Sequence, residues 1–260
     1  MMLLAGLFAV LAGCAQVLAG ALTAGQALLL TPDQEVALGR EAAAEYLGKN
    51  RAVAFTAVQD EVKRVGKAVA EKSSQPGRPY DFTAVATDDV NAFALPGGPI
   101  FVTSGLLARL GDEAQLAGVL AHEVAHVAER HGIARLREVL VLQGIAIAAL
   151  GNQSELLQRA AGITLSLIVK GRDRGSEQEA DVLGIRWMAS AGYDPRAMVD
   201  TLKMFREIGD VPGFLVWASD HPALADRIAL ADQQIAAEGL LRGTRDADRY
   251  KKAMADVSRP

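Results

Sequence analysis

The sequence predicts an α+β fold, mostly helical, with one small β-sheet set just before a histidine-bearing helix. Three observations carry that expectation. From Pro32 onward, apolar residues recur at helical spacing over most of the chain. Strand-like alternation is confined to the stretch between Tyr80 and Thr103, and Pro96-Gly97-Gly98 breaks it. The segment "GVLAHEVAHVAERHG", Gly118 to Gly132, holds three of the chain's four histidines among helix-forming neighbours. With 260 residues, half of them hydrophobic, the chain is long enough to bury a core as one large domain or two small ones. A net charge of -4 and a pI near 5.6 leave no basic surplus for a phosphate backbone, so nucleic acid is not expected as a partner.

Taken in order, residues 1–13 read as a lipoprotein-type signal peptide. No charged side chain occurs between Met1 and Thr31, and the apolar opening ends in small residues. Leu11-Ala12-Gly13-Cys14 resembles a bacterial lipobox, in which the cysteine is lipidated and becomes the mature N-terminus. Cys14 is the chain's only cysteine, so an exported form makes no internal disulfide and has a chemical reason to keep this thiol. The departure is an n-region without Lys or Arg. Residues 14–30 are then a tether, and Ala15 resembles outer-membrane sorting. The expected location is the periplasm, anchored to the outer membrane through Cys14.

The main domain is expected over residues 31–238. Thr31 is placed to cap a first helix with Pro32 at its first position. A second helix is predicted from about Ala54 to Lys72, and Ser73 to Pro79 reads as a loop. "YDFTAVAT" puts Tyr80, Phe82, Ala84 and Ala86 on one strand face. "NAFALPGGPIFVTSGLL" reads as two short strands joined through Pro96-Gly97-Gly98 and leading into a helix. Helical pattern then runs from Asp112 to about Leu142, with Gly132 as its point of interruption. The apolar runs within 139–171 are each shorter than the ~20 residues of a membrane span and read as a buried helical hairpin. Gly192-Tyr193-Asp194-Pro195 starts another helix and Asp220-His221-Pro222 a last long one. The polar tail, 239–260, is expected to fray.

The histidine helix carries the chemistry. Residues four apart lie about 40° apart around a helix, so His122 and His126 project from one face and can grip one metal ion. Glu123 is placed to take a proton from a metal-bound water and pass it to a leaving amine, the H-E-x-x-H arrangement of zinc hydrolases. The flanking Leu116, Val119, Leu120 and Val124 predict a buried helix. A third protein ligand is required. His131 lies about 900° from His122 and would face away on a continuous helix, so a structural role is expected for it. "RDRGSEQEADVLG" offers Glu177 or Glu179 as the third ligand, and spacing alone does not choose. Asp181 is placed to accept the N–H of a ligand histidine.

Three segments occur together and in order: "NAFALPGGPIFVTSGLL" (Asn91 to Leu107), "LAHEVAHVAERHG" (Leu120 to Gly132) and "SEQEADVLG" (Ser176 to Gly184). Continuing through "AGYDPRAMV" and "SDHPALADRI", the chain resembles the gluzincin metallopeptidases of the HtpX and prenyl-protein endopeptidase family over roughly Thr31 to Ile235. Its small periplasmic lipoprotein members are the nearest likeness. The resemblance implies a zincin-type domain with a small mixed β-sheet packed on the H-E-x-x-H helix. It also implies one Zn2+ per chain. The family's E-x-x-x-D pattern makes Glu177 the third ligand beside His122 and His126, with Asp181 behind them. Arg174 matches the family's arginine, whereas Gly175 and Ser176 depart from it and leave the local helix start open.

The family's H-P-x-x-x-x-R segment matches His221, Pro222 and Arg227. It implies that His221 and Arg227 belong with Glu123 at the active site, His221 either steadying an oxyanion or closing the open metal position. The "NAFAL" strand, with Asn91, Ala92, Phe93 and Ala94, is implied to be an edge that receives substrate as an added strand. The implied function is a zinc-dependent metalloendopeptidase acting on unfolded or misassembled cell-envelope proteins, with Glu123 as general base. The competing expectation is a self-inhibited zinc-site protein that works as a periplasmic chaperone or assembly factor.

Overall fold

The computed structural model describes residues 30–142, 162, 173–208, 224–240 and 243–257. Cys14, His221 and most of the apolar hairpin lie outside them. Two helices come first, α1 (Pro32–Lys49) and α2 (Thr56–Ala70). Strands β1 (Asp81–Val85), β2 (Ala92–Ala94) and β3 (Pro99–Thr103) follow, then the single turn α3 (Ser104–Leu107). Next are α4 (Glu113–Ala128), α5 (His131–Leu142), α6 (Arg174–Ser190) and α7 (Arg196–Ile208). The described chain closes with α8 (Leu224–Ala237) and α9 (Ala247–Ala253). No helix among the described residues is long and apolar enough to cross a membrane.

The capping expected at Thr31 is present: its side chain accepts from Gln34 N, the Gln34 side chain accepts from Thr31 N, and Pro32 is the first helical residue. The sheet is mixed, in the order β1-β3-β2. β1 runs parallel to β3 with Phe82 opposite Ile100, and β2 runs antiparallel to it with Phe93 opposite Phe101. β3 is buried at every residue, and β2 is the outer strand on one side.

Alternation sends the two faces of the sheet into different layers. Phe82, Ala84, Ala92, Ile100 and Val102 join the main core with α2 and α4. Val85, Phe93 and Phe101 join a smaller cluster closed by Leu38, Ala42 and Tyr46 of α1 and by Ile133 and Leu136 of α5. Helix α1 seats on the turn between β2 and β3 at backbone distance. A Cβ at Gly39 would fall 1.8 Å from the Pro96 carbonyl oxygen, and one at Gly97, where φ is 79°, would meet the Glu35 carbonyl oxygen at 2.6 Å.

Helix α4 is the centre of the molecule. Asp112 caps it by accepting from Gln115 N, and every residue from Leu116 to Ala128 is buried. A helix enclosed on all sides has to satisfy its polar groups from within, which is how the histidines come to face other side chains.

Two expectations are corrected. The interruption expected at Gly132 falls two residues earlier: α4 stops at Ala128, Arg130 adopts a left-handed φ of 60°, and α5 starts at His131. Residues 243–257 of the C-terminal tail are docked, where fraying was expected. Tyr250 on α9 is 1% exposed and donates to the Leu107 carbonyl at 2.6 Å. Arg245 reaches Asp112, Asp194 and Asp200 at 3.1, 2.9 and 2.6 Å, tying the tail to the start of α4 and to α7. Backbone bonds at Thr244 and Arg245 and the burial of Met254 add to these anchors, so a stretch of polar composition is held.

Candidate metal centre and active site

Helix α4 supplies His122, Glu123 and His126, and α6 supplies Glu177 and Asp181. Asp173 caps α6 by accepting from Ser176 N, which settles where that helix begins. The two helices approach closely at Gly184, where a Cβ would lie 3.2 Å from the backbone nitrogen of His122. Glu177, on the first turn of α6, is thereby brought over the paired imidazoles.

The three side chains His122, His126 and Glu177 are 5%, 3% and 0% exposed, and one ligand atom from each lies within 4.8 Å of the others. His122 Nε2 is 3.0 Å from His126 Nε2 and 3.4 Å from Glu177 Oε2, and His126 Nε2 is 3.2 Å from Glu177 Oε1. Atoms bound tetrahedrally at zinc's usual 2.0–2.1 Å stand about 3.3 Å apart, so the spacing of this donor set fits that ion. The chemistry fits as well: two imidazole nitrogens and a carboxylate oxygen converge on one point.

The nitrogens turned away from that point are held. His122 Nδ1 donates to Asp181 Oδ1 at 2.9 Å, which leaves the Nε2 lone pair facing inward. His126 Nδ1 meets His131 Nδ1 at 2.8 Å, and His131 Nε2 meets Glu179 Oε2 at 3.1 Å. A carboxylate only accepts, so His131 carries its proton on Nε2 and accepts from His126 through Nδ1. His131 therefore does for His126 what Asp181 does for His122. The continuous-helix expectation turned His131 away from this cluster; the break at Arg130 turns it back. Of the two acids left open by spacing, Glu177 joins the cluster and Glu179 serves His131.

Behind the cluster, Arg227 Nε and Nη2 donate to Asp181 at 2.6 and 2.7 Å, and Nη1 lies 2.8 Å from Glu177 Oε2. These contacts place Arg227 behind the donor cluster, and it also lines the small pocket that holds Glu123. It is 2% exposed and touches both carboxylates. Burial raises the Asp181 pKa, but Arg227 overcomes it and holds the carboxyl below the ordinary range. Burial likewise lowers the His122 pKa, and Glu177 and Asp181 outweigh it, raising the value to about 9. The pocket is one in which positive charge is strongly favoured.

Glu123, 1% exposed, lines a pocket of ≈20 Å³ with His122, Val119, Thr201, Phe205 and Arg227. That is room for about one water beside a carboxylate and a ligand histidine. On the other side, His126 shares a small pocket with Ala94, Leu95 and Pro96, so the outer strand β2 ends beside the donor cluster. Asn91, Ala92 and Phe93 are buried, and Asn91 is tied through its backbone to Thr103. Sequence reasoning missed Glu35 and Arg130, which meet at 2.7 Å. Neither carries a motif, and only the left-handed backbone at Arg130 marks them.

Residues 56–235 match the sequence pattern of peptidase family M48. The chain is 32% identical over 214 residues to a putative beta-barrel assembly-enhancing protease of Vibrio cholerae, covering 76% of this chain and 43% of that protein. It is 33% identical over 190 residues to the mitochondrial metalloendopeptidase OMA1 of Schizosaccharomyces pombe, covering 71% of this chain and 55% of that one. A third relative, the beta-barrel assembly-enhancing protease of Escherichia coli, is 32% identical over 150 residues, 53% of this chain and 30% of that protein. The chain thus spans about half or less of the length of these relatives.

Proposed function

The chain belongs to peptidase family M48, and from that premise we propose that it is a zinc-dependent metalloendopeptidase of the cell envelope. One observation carries the reading: two imidazole nitrogens and a carboxylate converge at a tetrahedral ion's spacing, with a buried glutamate beside them. His122, His126 and Glu177 would hold the zinc. When bound, zinc supplies Lewis acidity toward the scissile carbonyl and lowers the pKa of water at the site.

The protein's own groups do the rest. Glu123 takes the proton from the attacking water and delivers it to the leaving nitrogen. Asp181 and His131 fix the tautomers of the two histidines, and Arg227 holds Asp181 and Glu177 in place. Substrate pairs in extended form along β2, where backbone hydrogen bonds make few demands on side chains. Unfolded or misassembled envelope proteins are the substrates we favour, in keeping with relatives named as beta-barrel assembly-enhancing proteases. The location is the periplasm, with a lipidated Cys14 as anchor to the outer membrane.

The test is cleavage of unfolded casein by the purified protein. Cleavage should stop when a chelator strips the metal and return when zinc is restored. Cleavage that survives complete metal removal refutes the mechanism. For the anchor, Cys14→Ala should move the protein from the membrane fraction to the soluble one, and an unchanged distribution refutes the lipid attachment.

A further inference from the structure

We propose that Glu35 is a positioning residue for the metal centre, acting through Arg130 and His131 on the ligand His126. The inference rests on the zinc-peptidase reading and adds to it a residue from α1, 91 positions before His126. Glu35 is 0% exposed and divides its carboxylate between two arginines: Oε1 accepts from Arg78 at 2.9 Å and Oε2 accepts from Arg130 Nε at 2.7 Å. Its backbone is fixed from the other side by the close seat of α1 on Gly97. The carboxylate is therefore a rigid anchor.

What it anchors is a turn that arginine adopts only under constraint. Arg130 lies at φ 60°, in the region where a Cβ crowds the backbone, and nothing in "AERHG" supplies a glycine at that place. The guanidinium is held by Glu35 and by the Leu30 carbonyl, which accepts from Nη2 at 3.1 Å. The turn breaks the helix just after α4, and the next residue, His131, reaches His126 on the helix it has left. Its Nδ1 then sits 2.8 Å from Nδ1 of His126 and fixes that ring with Nε2 directed at Glu177. Glu35, Arg130, Ala94 and His126 line one small pocket, so the anchor and the ligand share a single patch of packing. Without the Glu35 contact the backbone at Arg130 relaxes toward an ordinary φ, and His131 loses its register on His126.

The experiment is the rate at which zinc leaves the loaded protein to a chromogenic chelator, for wild type, Glu35→Gln, His131→Phe and the double variant. Both single variants should release zinc about 10-fold faster, the scale for partners of metal-bound histidines. Because they cut one chain of contacts, the double variant should be within about 3-fold of the faster single. Either single variant within about 2-fold of wild type overturns the proposal, as does a double variant in which the two effects multiply. If Glu35→Gln does not fold, Arg130→Ala removes the same contact from the other partner and takes its place in the cycle. A wild-type protein that binds no zinc refutes the metal-site reading itself. Zinc held equally by wild type and Glu35→Gln refutes the positioning role alone.

Discussion

The two ends of helix α4 both bury carboxylates, and they balance them differently. At its start, Glu113 is 1% exposed and Glu61 of α2 is 6% exposed, and both meet the guanidinium of Arg64. Tyr193 donates to Glu113 at 2.9 Å, and Arg249 stands 4.0 Å from it. Two acids face two arginines, and the helix N-terminus itself favours negative charge. At the other end Glu123, Glu177 and Asp181 are all buried, and Arg227 is the one buried guanidinium beside them among the described residues. Counting only those four groups, with the histidines neutral as metal ligands would be, three carboxylates stand against one guanidinium. Buried carboxylates gathered in this way favour a cation, and a divalent ion held by His122, His126 and Glu177 would add to Arg227 there. Among the described residues, the start of the helix sets its acids against arginines, and the other end sets them against Arg227 beside a donor set suited to a metal ion.

Substitutions at the two ends should therefore differ in kind and size. Glu123→Gln should lower peptidase turnover about 10³-fold, within the range for loss of a general base, with zinc content unchanged. Turnover within about 10-fold of wild type contradicts the role given to Glu123. Arg227→Leu should cost about 3–5 kcal/mol in denaturant unfolding, because it leaves Asp181 and Glu177 buried without their cation. Asp181→Asn should weaken zinc binding about 10- to 100-fold in a chelator competition, since the tautomer of His122 is no longer fixed.

At the start of the helix, Arg64→Leu should cost only about 1 kcal/mol: Arg64 is 36% exposed, and Tyr193 and the helix N-terminus still serve Glu113. Equal losses for Arg64→Leu and Arg227→Leu would dissolve the contrast. Smallest of all is Glu61→Gln. Burial raises the Glu61 pKa, with Arg64 opposing, so the wild type's stability from this group is present at low pH and is lost as pH rises through the folded value. The stability of Glu61→Gln relative to wild type should accordingly rise between pH 4 and pH 8, the window above the ordinary glutamate range. A constant difference across that window contradicts the assignment.

Much of this was legible in local signals. The Thr31 cap, the glycine turn between β2 and β3, and the H-E-x-x-H spacing each depend on residues a few positions apart. The choice of Glu177 over Glu179 did not follow from spacing. Two residues along a helix is about 200°, and which side faces α4 depends on the approach at Gly184. It was the family pattern that selected Glu177. The turn at Arg130 was only half legible: Gly132 marked an interruption, but the left-handed residue is Arg130, and the carboxylate that holds it is Glu35, 95 residues earlier. The docked tail was hidden by composition, since Tyr250 and Arg245 are two residues in a polar stretch.

The metal centre proposed at His122, His126 and Glu177 is tested most directly by zinc stoichiometry, measured by elemental analysis of wild type beside Glu177→Gln and Arg64→Leu. About one zinc per chain is expected in wild type and in Arg64→Leu, with little retained in Glu177→Gln. Full zinc content in Glu177→Gln, or none in wild type, would contradict the metal centre described at His122, His126 and Glu177.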